Sequence, residues 1–203
     1  MATSRVKTSS ILQGFPKSRS LLAGNSYYVP PSYESIATAT GTGSSGTITF
    51  SSIPSTYKHL QIRGILRNDT AATTASSLRV RFNGDTASNY SHHTLSGDSS
   101  TAAATGTAAQ GYMNVANCNP CNSAASNIVG STLIDVIDYA STTKTKVQRA
   151  FSGADSNATD TTYKIVLSSG LWNSTAAITQ IDLVSASGLW TTQTTYALYG
   201  IKG

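Results

Sequence analysis

In Leu78-Arg79-Val80-Arg81-Phe82 every second residue is apolar, and both arginines fall between them. Side chains alternate across a strand but repeat every 3.6 residues around a helix, so only a strand gives this segment one dry and one wet face. Leu60-Gln61-Ile62-Arg63 repeats the pattern, and 178–183 follows it with a mixed first position. From Tyr33 onward such segments recur between Gly, Pro, Asn and Ser turns. The signals place strands at 34–39, 47–51, 59–66, 78–82, 111–115, 131–138, 146–152, 163–168, 180–185 and 195–201. Many short strands without a helical period predict an all-β chain: an antiparallel β-sandwich, jelly-roll-like. The low-complexity stretch 96–109 reads as a long exposed loop, and 71–77 as a shorter one.

Composition points the same way. About three in ten residues are Ser or Thr, and Glu occurs once, at Glu34. Helix surfaces are filled by Glu, Lys, Leu and Arg, whereas Thr, Val, Ile and Tyr suit a pleated, half-buried surface. The polar surface is therefore made by hydroxyls rather than charges, as in extracellular and virion β-proteins. No segment is apolar enough to span a bilayer, and the first thirty residues lack the apolar stretch of a secretory signal. No membrane contact is expected. Assembly into a virus particle released by lysis reconciles such a composition with the lack of an export signal.

Charge divides the chain. Arg5, Lys7, Lys17 and Arg19 precede the first acid, Glu34, and the remainder holds ten basic against nine acidic residues. Residues 1–32 read as an extended basic arm, interrupted by Gly14-Phe15-Pro16 and Val29-Pro30-Pro31. Residues 33–203 read as the sandwich domain. Leu21, Leu22, Tyr27 and Tyr28 give the arm apolar anchors. Cations that steer an encounter and anchors that hold it make an attachment device for an acidic partner surface. Four cations without interleaved aromatics are a small footprint for nucleic acid, so no specific nucleic-acid partner is expected.

Residues that could carry chemistry are few. Cys118-Asn119-Pro120-Cys121 would need two further ligands to hold zinc, and adjacent His92 and His93 on a strand face opposite ways. The two cysteines are left as free thiols or as a local disulfide across the Asn-Pro turn. His59 has no partner that the sequence nominates. Asp135 and Asp138 fall on opposite faces of one strand, and Asp155 and Asp160 lie in a turn-rich stretch. No Gly-x-Ser-x-Gly elbow is present. Neither catalysis nor a cofactor or metal is expected. Phe82-Asn83-Gly84-Asp85 reads as a tight turn, with Asn83, Asp85 and Asn89 as an alternative calcium set.

Three blocks occur in order: Ile53-Pro54-Ser55-Thr56-Tyr57-Lys58-His59-Leu60-Gln61-Ile62-Arg63; Arg81-Phe82-Asn83-Gly84-Asp85 with Ser88-Asn89-Tyr90; and Tyr196-Ala197-Leu198-Tyr199-Gly200-Ile201-Lys202. Together they resemble a family of tailed-bacteriophage virion structural proteins, over roughly residues 33–203. The resemblance implies a virion β-sandwich, a capsid decoration or tail-associated protein, and no catalytic residues.

The expected function is mechanical: a capsid decoration or cement subunit on the outer surface of the phage particle, docked through its arm. The alternative is a tail-fibre, collar or baseplate component that contacts host-surface glycans, with Trp172, Trp190, Tyr90 or Tyr112 stacking on sugars. The expected partners are the major capsid protein or tail and collar proteins, and further copies of the chain in a homo-oligomer, expected to be a trimer. The low surface charge makes symmetric contacts easy to desolvate.

Overall fold

Burial alternates where the sequence does. Along Ala75–Phe82 the burial pattern is strictly two-fold, with Leu78, Val80 and Phe82 buried and Arg79 and Arg81 on the other side. The computed structural model describes residues 32–71, 75–156 and 161–203; the arm anchors and cations at residues 5–28 lie outside the described residues, as does the side chain of Cys118.

The described residues form twelve strands: β1 (Tyr33–Thr40), β2 (Thr47–Phe50), β3 (His59–Leu66), β4 (Ala75–Phe82), β5 (Tyr90–Gly97), β6 (Ala102–Gln110), β7 (Met113–Pro120), β8 (Gly130–Ile137), β9 (Lys146–Gly153), β10 (Ile165–Trp172), β11 (Ile181–Ser185) and β12 (Thr195–Ile201). One sheet has eight strands in the order β1-β12-β3-β8-β9-β10-β5-β6, the other four in the order β2-β11-β4-β7. The chain is an all-β sandwich of the jelly-roll kind. β2-β11-β4-β7 forms one layer, and β3, β5 and β6 form the other, with the meander β8-β9-β10 standing where a single strand would suffice. Three antiparallel strands leave the direction of the one they replace unchanged, so the connectivity survives the insertion. β12 and β1 then widen the same sheet.

The core lies between the layers. Leu60, Ile62, Ile134, Val136 and Leu198 from the large sheet meet Leu78, Val80, Phe82, Ile181 and Leu183 from the small one. Toward β7 the seam turns polar. Ser168 donates to the Asn114 carbonyl at 3.1 Å, Ser152 donates to the Val115 carbonyl at 3.4 Å, and the Thr132 and Ser152 hydroxyls bond at 2.7 Å. The hydroxyl-rich composition thus serves the interior as well as the surface.

The recurrent sequence blocks explain themselves as ends of the sandwich. Tyr57 lies over Gly200, where an added Cβ would come 2.3 Å from the ring. The Tyr57 hydroxyl donates to Glu34 at 3.0 Å, and Lys202 pairs with the same carboxylate. Tyr139 donates to the Pro54 carbonyl. At another corner Asn83 and Gly84 both adopt positive φ, 51° and 67°, and Asp85 N–H bonds the Phe82 carbonyl at 2.9 Å. These are the dihedrals of a type I′ turn. Here the turn passes the chain from the small sheet to the large one instead of closing a two-strand hairpin.

Gly200→Ala should therefore lower stability by about 1–3 kcal/mol, as overpacking does. The Tyr57 ring cannot retreat without giving up Glu34. Thermal denaturation followed by circular dichroism reads the effect. An unchanged Tm would mean that the ring is not held there.

Candidate interaction surface

Among the described residues, which exclude Asp160, the histidines and most of the acids nominated for chemistry are engaged in the fold. Asp135 accepts from Gln61 at 2.8 Å and from Arg149 at 3.1 Å. Asp138 sits just past β8, where it pairs with Lys58 and Lys144, each at 2.8 Å, and His59 Nδ1 accepts the Asp138 N–H at 3.1 Å. His92 is buried, and burial lowers its pKa; His93 is exposed on the opposite face, its ring against Gly106. Asp85 accepts from Ala87 N–H at 2.8 Å, Asn89 at 2.9 Å and the Trp172 indole at 2.7 Å. Asn83 Oδ1 takes the N–H groups of Thr179 and Gln180 at 2.9 and 3.1 Å. The calcium reading of Asn83, Asp85 and Asn89 gives way to a turn whose acceptors are filled by protein donors. Among the described residues no three His, Cys, Asp or Glu side chains converge. Cys121 is buried with its Sγ 3.5 Å from the Asn119 carbonyl oxygen. Its pairing with Cys118 turns on a side chain outside the described residues.

Two expectations are corrected. The aromatics proposed to stack on sugars are not available for it. Trp172, Trp190 and Tyr90 are buried, and Tyr112 is half-buried with the Arg79 guanidinium 4.1 Å from its ring centre. Their polar handles are used internally: the Trp190 indole donates to the Leu183 carbonyl at 3.0 Å, and the Tyr90 hydroxyl takes the Phe82 N–H at 3.0 Å. Burial pushes the Tyr90 phenol up to about 12. Trp172 stacks on Tyr90 with centroids 6.2 Å apart. The second correction concerns 96–109, which is no loop. It contains the end of β5, a tight turn and most of β6. The turn is fixed by Asp98, which accepts the Ser100 and Thr101 N–H groups, both at 2.9 Å.

What the fold leaves open is the outer face of the large sheet. Strand register lines up Ala197, Arg63, Leu133, Phe151, Leu167, Leu95 and Ala104 across seven strands, from β12 to β6. Ile65 and Ile165 belong to the adjoining row. Phe151, Leu167, Leu95, Ile65 and Ile165 are each about half exposed, at 50, 49, 53, 50 and 58%. A shallow groove of about 380 Å³ runs between Ile65, Leu133 and Phe151.

The charged residues at this end of the band are linked by hydrogen bonds. Arg63, in the band row itself, donates to Gln61 at 2.9 Å, and in the next row Gln61 donates to Asp135, which also accepts from the exposed Arg149, so two cations share one carboxylate. The Arg63 guanidinium also lies 6.0 and 5.8 Å from the Tyr33 and Tyr199 rings. A contiguous apolar band of this kind on an exposed sheet face is a candidate contact surface. Sequence reading missed it because a two-residue period does not say which face turns outward: β9 buries Lys146, Gln148, Ala150 and Ser152 and exposes Val147, Arg149 and Phe151, and only the cross-strand register brings the outward apolar residues together.

Compared with protein-family models, curated proteins and solved structures, the chain matches none.

Asp138 supplies a pH test of the domain. Lys144 and then Lys58 hold its carboxyl down to about 2, from an ordinary 3.8. A depressed carboxyl stabilises the fold above its unfolded pKa, and that contribution disappears as pH falls through the folded one. Asp138→Asn keeps the shape and tolerates the φ of 48°. The variant should melt below the parent at pH 5, with the gap closing as pH falls from 4 toward 2. A gap that stays constant over that range would break the assignment.

Proposed function

We propose that this chain is a non-enzymatic structural subunit of a bacteriophage particle: a capsid decoration or cement subunit on the outer surface, attached through its N-terminal arm to the major capsid protein. The observation that carries the reading is the uncovered apolar band on the large sheet, beside side chains of catalytic type that are tied up in structural pairs. Strands about 4.8 Å apart with residues about 3.4 Å along each give an eight-stranded face of about 1,000 Å². A stable protein contact uses about 800 Å² per partner. The surface is thus large enough for assembly, and it lacks the enclosure and convergent polar groups of a small-molecule site.

Further copies of the chain are the proposed occupants of this face, in a homotrimer. The apolar rows carry no acid, and the two arginines beside them are held by Gln61 and Asp135, so the face offers mainly apolar surface to a like face. The arm has the complementary job. Its four cations and four anchors, Arg5, Lys7, Lys17, Arg19, Leu21, Leu22, Tyr27 and Tyr28, suit an acidic groove on a different protein. The resemblance of the three sequence blocks to virion proteins agrees with both assignments.

Two measurements test the reading. Light scattering of the purified chain should show trimer-based association, and Phe151→Ser with Leu167→Ser should remove its three-fold component with the strand spectrum intact. Removing residues 1–32 should leave domain melting largely unchanged and abolish incorporation into particles. Full occupancy by the truncated chain would move attachment from the arm to the sandwich. A stable monomer of the parent at tens of micromolar would remove the face from the account.

A further inference from the structure

A sheet edge is a row of unpaired N–H and C=O groups, and proteins protect their edges against chance pairing. Three of the four edges here carry such protection. β2 is only four residues long. β7 ends in Pro120 and pairs with β4 through two register irregularities. β1 has a bulge between Ser35 and Ala37, and Glu34 on it is clamped by Lys202 and Tyr57. β6 is the exception. It is the longest of the twelve strands at nine residues, it terminates the large sheet, and it contains neither a charge nor a proline. Residues 102–109 are exposed on both faces, because the small sheet does not extend over them.

We infer that β6 is a self-association edge, at which two copies of the chain pair antiparallel about a two-fold axis at Gly106 and join their large sheets into one. The occupant is read from the sequence of the edge itself. Ala104-Thr105-Gly106-Thr107-Ala108 is the same in both directions. An antiparallel pair centred on Gly106 sets Thr105 opposite the second copy's Thr107, and Ala104 opposite its Ala108. Like side chains then share a face, and hydroxyl meets hydroxyl as Thr94 and Thr105 already do within one copy at 2.7 Å. Without a charge on the strand, a two-fold axis brings no like charges together.

The hairpin holds the edge in place for this. Asp98 fixes the tip through its bonds to the Ser100 and Thr101 N–H groups. Between Ala102 and Thr107 the register against β5 is regular. The irregularity falls between Thr107 and Gln110, taking in Ala108, the palindrome's last residue, and Ala109 with its φ of 54°, so the straight segment runs from Ala102 to Thr107. The outer row of the apolar band also reaches this edge, through Leu95 opposite Ala104. Pairing therefore continues a surface that is already unpartnered.

The inference does not depend on what the particle is, and register-specific cross-linking of the purified full chain tests it. Thr105→Cys with Thr107→Cys places two thiol pairs opposite each other across the axis. Either single variant leaves its thiol facing a threonine, with its own copy beyond the Cα separation of about 7 Å that a disulfide spans. Mild oxidation of the double variant should give a reducible covalent dimer on a denaturing gel, at least about tenfold above either single variant, whose native cysteines serve as the background. Ala104→Cys with Ala108→Cys reads the same register from the other face, should the first pair perturb folding. Thr105→Lys with Thr107→Lys opposes like charges across the axis and should abolish the edge dimer in sedimentation with the strand spectrum preserved. No dimer from either cysteine pair, or equal yields from single and double variants, overturns the two-fold pairing. Neither outcome bears on the trimer contact at Phe151 and Leu167, which is read separately.

Discussion

A four-stranded sheet lies against an eight-stranded one, and four strands cannot cover eight. The rest of the molecule follows from that mismatch. Where the layers overlap, Leu, Ile and Val side chains close a dry core. Toward β7 the seam is wired by Ser and Thr hydroxyls donating to the carbonyls of Asn114 and Val115. Past it, β6 has no layer over either face. Inserting a three-strand meander into the jelly-roll order preserves the connectivity and lengthens the sheet, so the enlargement yields surface rather than core. The exposed apolar band on the opposite face crosses the inserted strands, with Leu133 on β8, Phe151 on β9 and Leu167 on β10.

Hydroxyls and a scarcity of charges lower the cost of desolvating such a surface. A lysine- or glutamate-rich face would resist burial, since each exposed charge must be paired or dehydrated on contact. Here few charges stand beside the band, and Arg63 and Arg149 are tied to one another through Gln61 and the single carboxylate of Asp135. The remaining polar groups are short side chains that lose little rotamer freedom on contact. Contact through this face relies on apolar burial and shape, and contact through the β6 edge relies on backbone hydrogen bonds. The two are chemically independent.

Legibility in the sequence followed the source of each strand's stability. β3, β4 and β12 were readable because each buries alternate side chains in the core, and that alternation is written locally. β6 was not, because Ala102–Gln110 owes its conformation to hydrogen bonding with β5 and not to burial. A strand exposed on both sides has no reason to alternate, and its composition is that of a loop. The Asn83-Gly84 turn was legible in its dihedrals but not in its destination, since turn chemistry fixes a bend and not the sheet that receives the chain. Trp172, Trp190 and Tyr90 were candidates for sugar contact because aromatics serve cores and binding faces alike; only their internal partners, Asp85, the Leu183 carbonyl and the Phe82 backbone, decide between the roles. The outer band depended on register between distant strands, information that no single segment carries.

Symmetry joins the proposed contacts into one scheme. A face that closes a trimer is used up by closure, and a set of trimers has no further means of association through it. An edge that pairs about a two-fold axis links one closed unit to another. Three-fold units joined at two-fold edges tile a surface, whereas either contact alone gives an isolated particle. In the proposed scheme the arm supplies what tiling lacks, a fixed place and orientation on the underlying protein, through its cations and apolar anchors. Weak, chemically distinct contacts then suffice, because an arm that concentrates the subunit raises the effective concentration at which the other two act.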